Sequence, residues 1–404
     1  MREQIEGSQA VARAVALCRP QVVCAYPITP QTHIVEALGA RVKEGSLAPC
    51  QFINVESEFA AMSVSIGASA GGSRAYTATA SQGLLFMAEA VYNASGLGLP
   101  IVMTVANRAI GAPINIWNDH SDSMALRDAG WVQLFAADNQ SAVDLHIQAF
   151  RLAEELSVPV MVCVDGFSLT HAVEGIDVPD QESVDSFLPP FVPRQRLDPD
   201  EPVTIGAMVG PEAFTEVRYL AHARMRRALD LMPVIAAEFA AAVGRGGGGL
   251  VEPYRLEGAD LVVVAQGSVI GTLCDAIDEL RDEGISVGAL AVTVYRPFPV
   301  DAVRAALAGA RRVVVIDRAL ATGEGGFLAA DVRRAAPAGT PLHGVIAGLG
   351  GRPVTRASLR RCLEEASRGL LGELAWLDLD TTLIEKELAG LPGGTDVHAG
   401  PHAG

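Results

Sequence analysis

Two rhythms of apolar positions trade places along the chain. Helical spacing marks residues 9–18, 31–42, 59–72, 82–95 and 141–156, and short unbroken apolar runs mark residues 21–25, 51–55, 74–78, 100–106 and 159–164. Continuous apolar strands flanked by amphipathic helices predict a parallel sheet covered on both faces, a doubly wound α/β domain. The rhythm stops over residues 186–202, where Leu188-Pro189-Pro190-Phe191-Val192-Pro193 is expected to be extended, because proline removes donors and restricts its neighbours. Residues 211–243 return to helical spacing, and the glycines from Gly246 to Gly249 then read as a flexible connector. No strand precedes those glycines and no Lys-Ser or Lys-Thr follows, which argues against a phosphate loop. A second alternation follows, with strands at 260–265, 286–294, 311–317 and 341–347 and helices at 269–282, 301–308, 325–335 and 356–368. The expected division is a first domain over 1–243, a connector over 244–258, a smaller α/β domain over 259–375 and a tail over 376–404. The end of the tail, from Leu391-Pro392-Gly393-Gly394, lacks an apolar pattern and is expected to be disordered.

Composition narrows the class. At 404 residues the chain exceeds one ordinary core, and half of it is hydrophobic, enough to fill more than one. Aromatics are only 5%, so packing rests on Ala, Val and Leu. A net charge of −16 excludes nucleic acid as a partner, since phosphates demand a basic face. Apolar runs such as residues 261–265 are strand-length, far short of a membrane span, and Met1-Arg2-Glu3-Gln4 opens no signal pattern, so a cytoplasmic protein is expected. Cys18, Cys24, Cys50, Cys163, Cys274 and Cys362 include no Cys-x-x-Cys pair, which predicts reduced, mostly buried thiols and no metal or cluster site in this chain. His398 and His402, on a Gly-rich tail, are read as non-ligating.

The candidate chemistry lies at strand ends. Glu58 opens an apolar, Ala-rich helix, and Thr29 and Arg108 each follow a strand-like run. Ligands of open α/β sheets bind at the carboxyl ends of strands. One carboxylate, one hydroxyl and one guanidinium would thus converge on a small acidic substrate and a cofactor. The competing structural reading makes Glu58 a helix cap, Thr29 a turn residue and Arg108 half of a surface ion pair. Gly323-Glu324-Gly325-Gly326, after the strand ending at Asp317, reads as a tight turn, with anion binding through backbone N–H groups as the alternative.

Several short motifs occur in one order: Tyr26-Pro27-Ile28-Thr29-Pro30, Glu56-Ser57-Glu58-Phe59-Ala60-Ala61, Thr79-Ala80-Ser81-Gln82-Gly83-Leu84, Asn107-Arg108-Ala109, Asp119-His120-Ser121-Asp122, Asp165-Gly166-Phe167 and Tyr295-Arg296-Pro297-Phe298. Together they resemble the alpha subunit of pyruvate:ferredoxin oxidoreductase, a resemblance that runs to about residue 370. The resemblance implies a thiamine diphosphate pyrimidine-type domain followed by a domain like the C-terminal domain of transketolase. It implies reversible oxidative decarboxylation of pyruvate with coenzyme A to acetyl-CoA, CO2 and reduced ferredoxin, in a multi-subunit enzyme. Glu58 would hydrogen-bond the pyrimidine ring nitrogen, favouring the imino tautomer that deprotonates C2. Arg108 would hold the substrate carboxylate in a bidentate fork, Thr29 its carboxylate or keto oxygen, and Tyr26, Pro27, Ser81 and Gln82 would line the cofactor pocket.

A thiamine enzyme also needs a Gly-Asp-Gly segment followed by an Asn that holds Mg2+. The near match at Asp165-Gly166-Phe167 has Val164 before it and no suitable Asn after it. A beta subunit would then carry the diphosphate and Mg2+ site and an iron–sulfur cluster, with gamma and ferredoxin-like delta subunits completing the electron path. A related enzyme for 2-oxoisovalerate or 2-oxoglutarate is the alternative within the class, and a non-catalytic scaffold the alternative outside it.

Overall fold

The computed structural model describes residues 2–390. The stretch expected to be disordered, with His398 and His402, lies outside the described residues. The chain divides into two compact units, Met1–Glu252 with Val292–Pro299, and Pro253–Ala291 with Val300–Gly404.

Seven strands make the sheet of the first unit, in the order Val294–Arg296, Val132–Phe135, Val160–Asp165, Val102–Asn107, Ala75–Thr79, Val22–Ala25, Gln51–Asn54. Neighbours run parallel, except that Val294–Arg296 is antiparallel to Val132–Phe135. Alternate strand residues, among them Val23, Tyr76, Val102 and Val162, join the helices Gly7–Leu17, Thr32–Lys43 and Asn139–Leu156 in one buried cluster. The helix Glu58–Ala70 meets Val22–Ala25 and Ala75–Thr79 but contributes nothing to that cluster, so it covers the other face. Each fully buried Val or Leu adds about 1.5–3 kcal/mol over its exposed state. Register sets Thr79 opposite Val105 and Asn107 opposite Asp165, which brings the carboxyl ends of the central strands level.

Three expectations need correction. The single strand expected over 286–294 is two: Val287–Val292 stays in the second sheet, and Val294–Arg296 leaves to close the edge of the first. The helix expected over 82–95 is broken into Ser81–Phe86 and Ala88–Leu97. The glycines after the helix Phe214–Val243 do not behave as a free linker. Arg245 pairs with Asp144 at 2.6 Å, and a Cβ at Gly248 would lie 2.4 Å from Gln148 Oε1, so only glycine passes there.

The segment after helix Gln181–Phe187 has no regular structure up to residue 213, as its prolines require. It is tethered at its start: buried Arg74 donates Nη2 to the Pro189 carbonyl and Nε and Nη2 to Glu154.

The second sheet runs Leu374–Trp376, Leu342–Ile346, Arg312–Asp317, Leu261–Ala265, Val287–Val292, Val251–Tyr254. The helices Val269–Asp282 and Arg356–Ser367 pack against each other beside it. Residues 321–325 form a tight turn, with Ala321 bridged to Gly325. The nearby backbone donors of Leu328 and Ala329 are taken by the Asp317 carboxylate, at 2.8 and 2.9 Å. An external anion would have to displace that side chain. Among the described residues no helix is long and apolar enough to cross a membrane. All six cysteines are free, and burial pushes the thiols of Cys24, Cys50 and Cys274 up to about 11.

Candidate active site

Five loops leave the carboxyl ends of adjacent parallel strands, and each carries a residue singled out by sequence. Thr29 follows Val22–Ala25, Glu58 follows Gln51–Asn54, Ser81 follows Ala75–Thr79, Arg108 follows Val102–Asn107, and Gly166 follows Val160–Asp165. Glu58 does not cap its helix. Ser57 does, its hydroxyl accepting from the Ala60 N–H at 3.2 Å. That leaves Glu58 in the first helical turn, where the helix dipole favours an anion.

Glu58 is 8% exposed, and among the described residues no donor reaches its carboxylate. Its oxygen lies against Gly83: a Cβ built there would sit 2.6 Å from Glu58 Oε1 and 2.6 Å from Thr79 Oγ1. Thr79 Oγ1 is itself buried without a partner. A carboxylate with no protein donor, a buried hydroxyl with no partner and a glycine that makes room for both lie together, and the hydroxyl costs free energy until a ligand meets it.

Thr29 and Arg108 are brought together, but not as side chain to side chain. Arg108 Nη1 donates to the Thr29 carbonyl at 2.9 Å, and its Nε to the Asn115 carbonyl at 3.3 Å. One Nη1–H and both Nη2–H groups are not used by these two bonds, so a carboxylate could still be met by Nη1 and Nη2 together, while the Nε edge is taken. Burial pulls the guanidinium below its usual value, and Asp122 opposes that shift. Arg108 is not a surface ion-pair residue, since it is 6% exposed. Thr29 itself is exposed, as are the Tyr26 ring and Pro27. The Tyr26 carbonyl accepts from Gln31 Nε2 at 2.8 Å, and Gln31 also reaches the Ala78 carbonyl at 3.1 Å, binding this turn to the neighbouring strand. No hydrogen bond joins Glu58 to Thr29 or Arg108.

The residue that organises these loops is Asp122, which the sequence reading quoted but gave no role. Fully buried, it accepts four bonds. Oδ2 takes the N–H groups of Ser81 and Arg108, both at 2.9 Å, and Oδ1 takes Asn107 Nδ2 and the Ser123 N–H, both at 2.8 Å. Burial pushes its pKa up to about 6, against the pull of these donors. Ser81 needs the help: its φ of 50° lies in the left-handed region, which costs a residue with a Cβ of order 1 kcal/mol or more. Its hydroxyl lies within hydrogen-bond reach of both the Ala109 carbonyl and Gln82 Oε1 and can donate to one of them, fixing the start of the helix that carries Gly83. His120 and Asp165, each 1% exposed, pair at 2.7 Å behind this network. A buried Asp between two strand-end loops has no periodic signature. The available signal was the crowding of Asp119, His120 and Asp122 in a loop between apolar strands.

Comparisons with known proteins place the chain in a family. Residues 13–234 match the thiamine diphosphate-binding domain of pyruvate flavodoxin/ferredoxin oxidoreductase, and residues 259–359 match pyruvate:ferredoxin oxidoreductase core domain II. Pyruvate synthase subunit PorA of Methanosarcina barkeri is 45% identical over 94% of this chain and 97% of that one. The PorA subunit of Thermotoga maritima is 44% identical over 92% and 95%. Ketoisovalerate oxidoreductase subunit VorA of Pyrococcus abyssi is 37% identical over 91% and 94%. Among solved structures, a 2-oxoglutarate:ferredoxin oxidoreductase from Magnetococcus marinus superposes with a TM-score of 0.71 at 21% identity, over 91% of this chain and 65% of that chain. A split-gene transketolase gives 0.53 at 14% identity, over 91% and 99%. These two likenesses speak to the fold alone. With both domain models matched in order and the identity spread over nearly its whole length, the chain belongs to the pyruvate:ferredoxin oxidoreductase family, at the position of its alpha subunit.

Proposed function

We propose that this chain supplies the pyrimidine half of a shared thiamine diphosphate site in a heteromeric, cytoplasmic pyruvate:ferredoxin oxidoreductase. The observation that carries the reading is the Glu58 carboxylate, on a residue only 8% exposed, held against Gly83 beside the buried, unpartnered Thr79 hydroxyl. Those residues fit the flat, nitrogen-rich face of an aminopyrimidine. When bound, thiamine diphosphate contributes a nucleophilic ring carbon and an electron sink for the decarboxylation. Glu58 holds a proton at the pyrimidine ring nitrogen, which makes the neighbouring amine basic, and burial keeps water from competing for that bond. Ser81 and Gln82 set the position of Gly83 beneath it. Arg108 Nη2 and the Thr29 hydroxyl receive the carboxylate and keto oxygens of the 2-oxoacid.

The diphosphate, Mg2+ and iron–sulfur clusters belong, on this reading, to a beta subunit and to gamma and ferredoxin-like delta partners. Asp165, the nearest match here to a diphosphate-site acid, is buried and engaged by His120. Pyruvate is favoured over a branched 2-oxoacid because the relatives named pyruvate synthase reach 42–47% identity, against 37% for the ketoisovalerate enzyme subunit. The test is Glu58→Gln in the assembled complex, read by deuterium exchange at C2 of the bound cofactor. Exchange should slow by orders of magnitude at unchanged cofactor occupancy; equal rates would remove Glu58 from the chemistry.

A further inference from the structure

We propose that Glu6, His33 and His171 form a binding site for a divalent transition-metal ion of the zinc class, which clasps three segments behind the Thr29 loop. The residues are far apart in sequence. Glu6 ends the strand Glu3–Glu6, His33 stands in the first turn of helix Thr32–Lys43, and His171 follows the strand Val160–Asp165. The fold brings one potential ligand atom from each to within 4.8 Å of the other two. His33 Nδ1 lies 2.7 Å from Glu6 Oε1, and the two imidazole rings have centroids 4.7 Å apart. A tetrahedral ion with bonds of about 2.0–2.1 Å spaces its ligand atoms by about 3.4 Å, so shifts of roughly 1 Å suffice to close the set.

The surroundings resemble the outer shell of a metal site. His171 Nδ1 lies 2.8 Å from the Thr170 hydroxyl, which is buried and also accepts the Phe167 N–H at 2.8 Å, so Nε2 is the ring nitrogen left over. Phe167 packs on the same ring at 4.8 Å and restricts its rotation. The Glu6 and His33 side chains are 28% and 45% exposed, which gives an ion a path in and room for a water as fourth ligand. Two imidazoles and one carboxylate select zinc, cobalt, nickel or copper over magnesium or calcium, which prefer oxygen. The clasp would reach the active-site loops through Pro30, against whose Cγ a Cβ on Gly166 would lie only 2.6 Å. Nothing in this inference depends on the thiamine chemistry.

The test uses the full-length chain stripped with chelator and titrated with Zn2+ by calorimetry. One ion should bind with a Kd of about 1 μM or tighter, and His33→Gln/His171→Gln should weaken it by at least about 100-fold. With Zn2+ at a hundred times Kd the parent's Tm should rise by about 5 °C or more and the double variant's should not move. Co2+ in place of Zn2+ should give the d–d absorption of a four-coordinate ion in the parent. If the double variant misfolds, His33→Cys decides: bound Co2+ should then gain a thiolate charge-transfer band over the parent. Binding of much less than one ion, binding undiminished in a folded double variant, or no added band in a Co2+-loaded His33→Cys protein would each overturn the site.

Discussion

Asp122→Asn isolates the element that ties the active-site loops together. The two side chains are isosteric, so any loss comes from hydrogen bonding rather than volume. Each carboxylate oxygen of Asp122 accepts two donors, Ser81 and Arg108 N–H on one side and Asn107 Nδ2 and Ser123 N–H on the other. An amide offers one oxygen. Whichever way it is turned, two fully buried donors face an NH2 group. At about 1–3 kcal/mol for each stranded donor, the variant should lose about 2–6 kcal/mol, a large share of the 5–15 kcal/mol typical of a domain. Asp122→Ala, which strands all four, should lose more. The assay is urea unfolding at about pH 8, above the Asp122 pKa, so that the parent carboxylate is ionised. It is followed by tryptophan emission in a Trp376→Phe background, which leaves Trp117 and the buried Trp131, both in the first unit. A loss below about 1 kcal/mol in both variants would show that these bonds are replaced by water and that Asp122 does not organise the loops.

Gly83→Ala places a methyl within 2.6 Å of Glu58 Oε1, so the carboxylate must swing away; cofactor binding to the assembled complex should weaken at least about tenfold with a stability loss under about 2 kcal/mol, measured by cofactor titration and urea unfolding. Arg108→Leu should lower kcat/KM for pyruvate by about 30- to 1000-fold, and Arg108→Lys should recover little because one ammonium cannot span the Thr29 and Asn115 carbonyls; values within threefold of the parent would return Arg108 to a structural role. Burial pushes Asp317 up to about 7 against an unfolded value near 3.9, so the folded state holds the extra proton between them. Its contribution is complete below about pH 4 and is lost as pH rises through about 7, so melts of the second unit, followed at Trp376, should fall in Tm from pH 5 to 8, and Asp317→Asn should flatten that fall.

Much of the scaffold was legible because its signals are local. Unbroken runs such as Val102–Asn107 and Val160–Asp165 are buried on both faces, and a strand of that kind has no polar positions to disguise it. The short strand Val132–Phe135 was not seen: four residues carry little periodicity, and Gln133 interrupts them, its amide donating to the Ser123 carbonyl. Helix Ser81–Phe86 was merged with its successor since no proline or glycine marks the break at Met87. In the candidate site, Glu58, Thr29, Ser81 and Arg108 stand out in the sequence because each opens or follows an element. Asp122 and the cluster of Glu6, His33 and His171 do not, because what unites them is contact between segments far apart in sequence, Glu6 even lying in a separate two-stranded sheet with Val173–Ile176, and no spacing along one element records that.

Val294–Arg296 has a consequence for how the molecule is made. It borders Val132–Phe135 as the edge of a sheet whose other strands are all complete by Asp165. A ribosome delivering the chain in order must therefore finish Val287–Val292, a strand of the second sheet, before the first sheet can be closed. Until then Val132–Phe135 stands as an open parallel edge, the kind of surface that recruits foreign strands. A gene fragment stopped near residue 250 would hold that edge open permanently. The unit of expression is thus larger than the unit of packing.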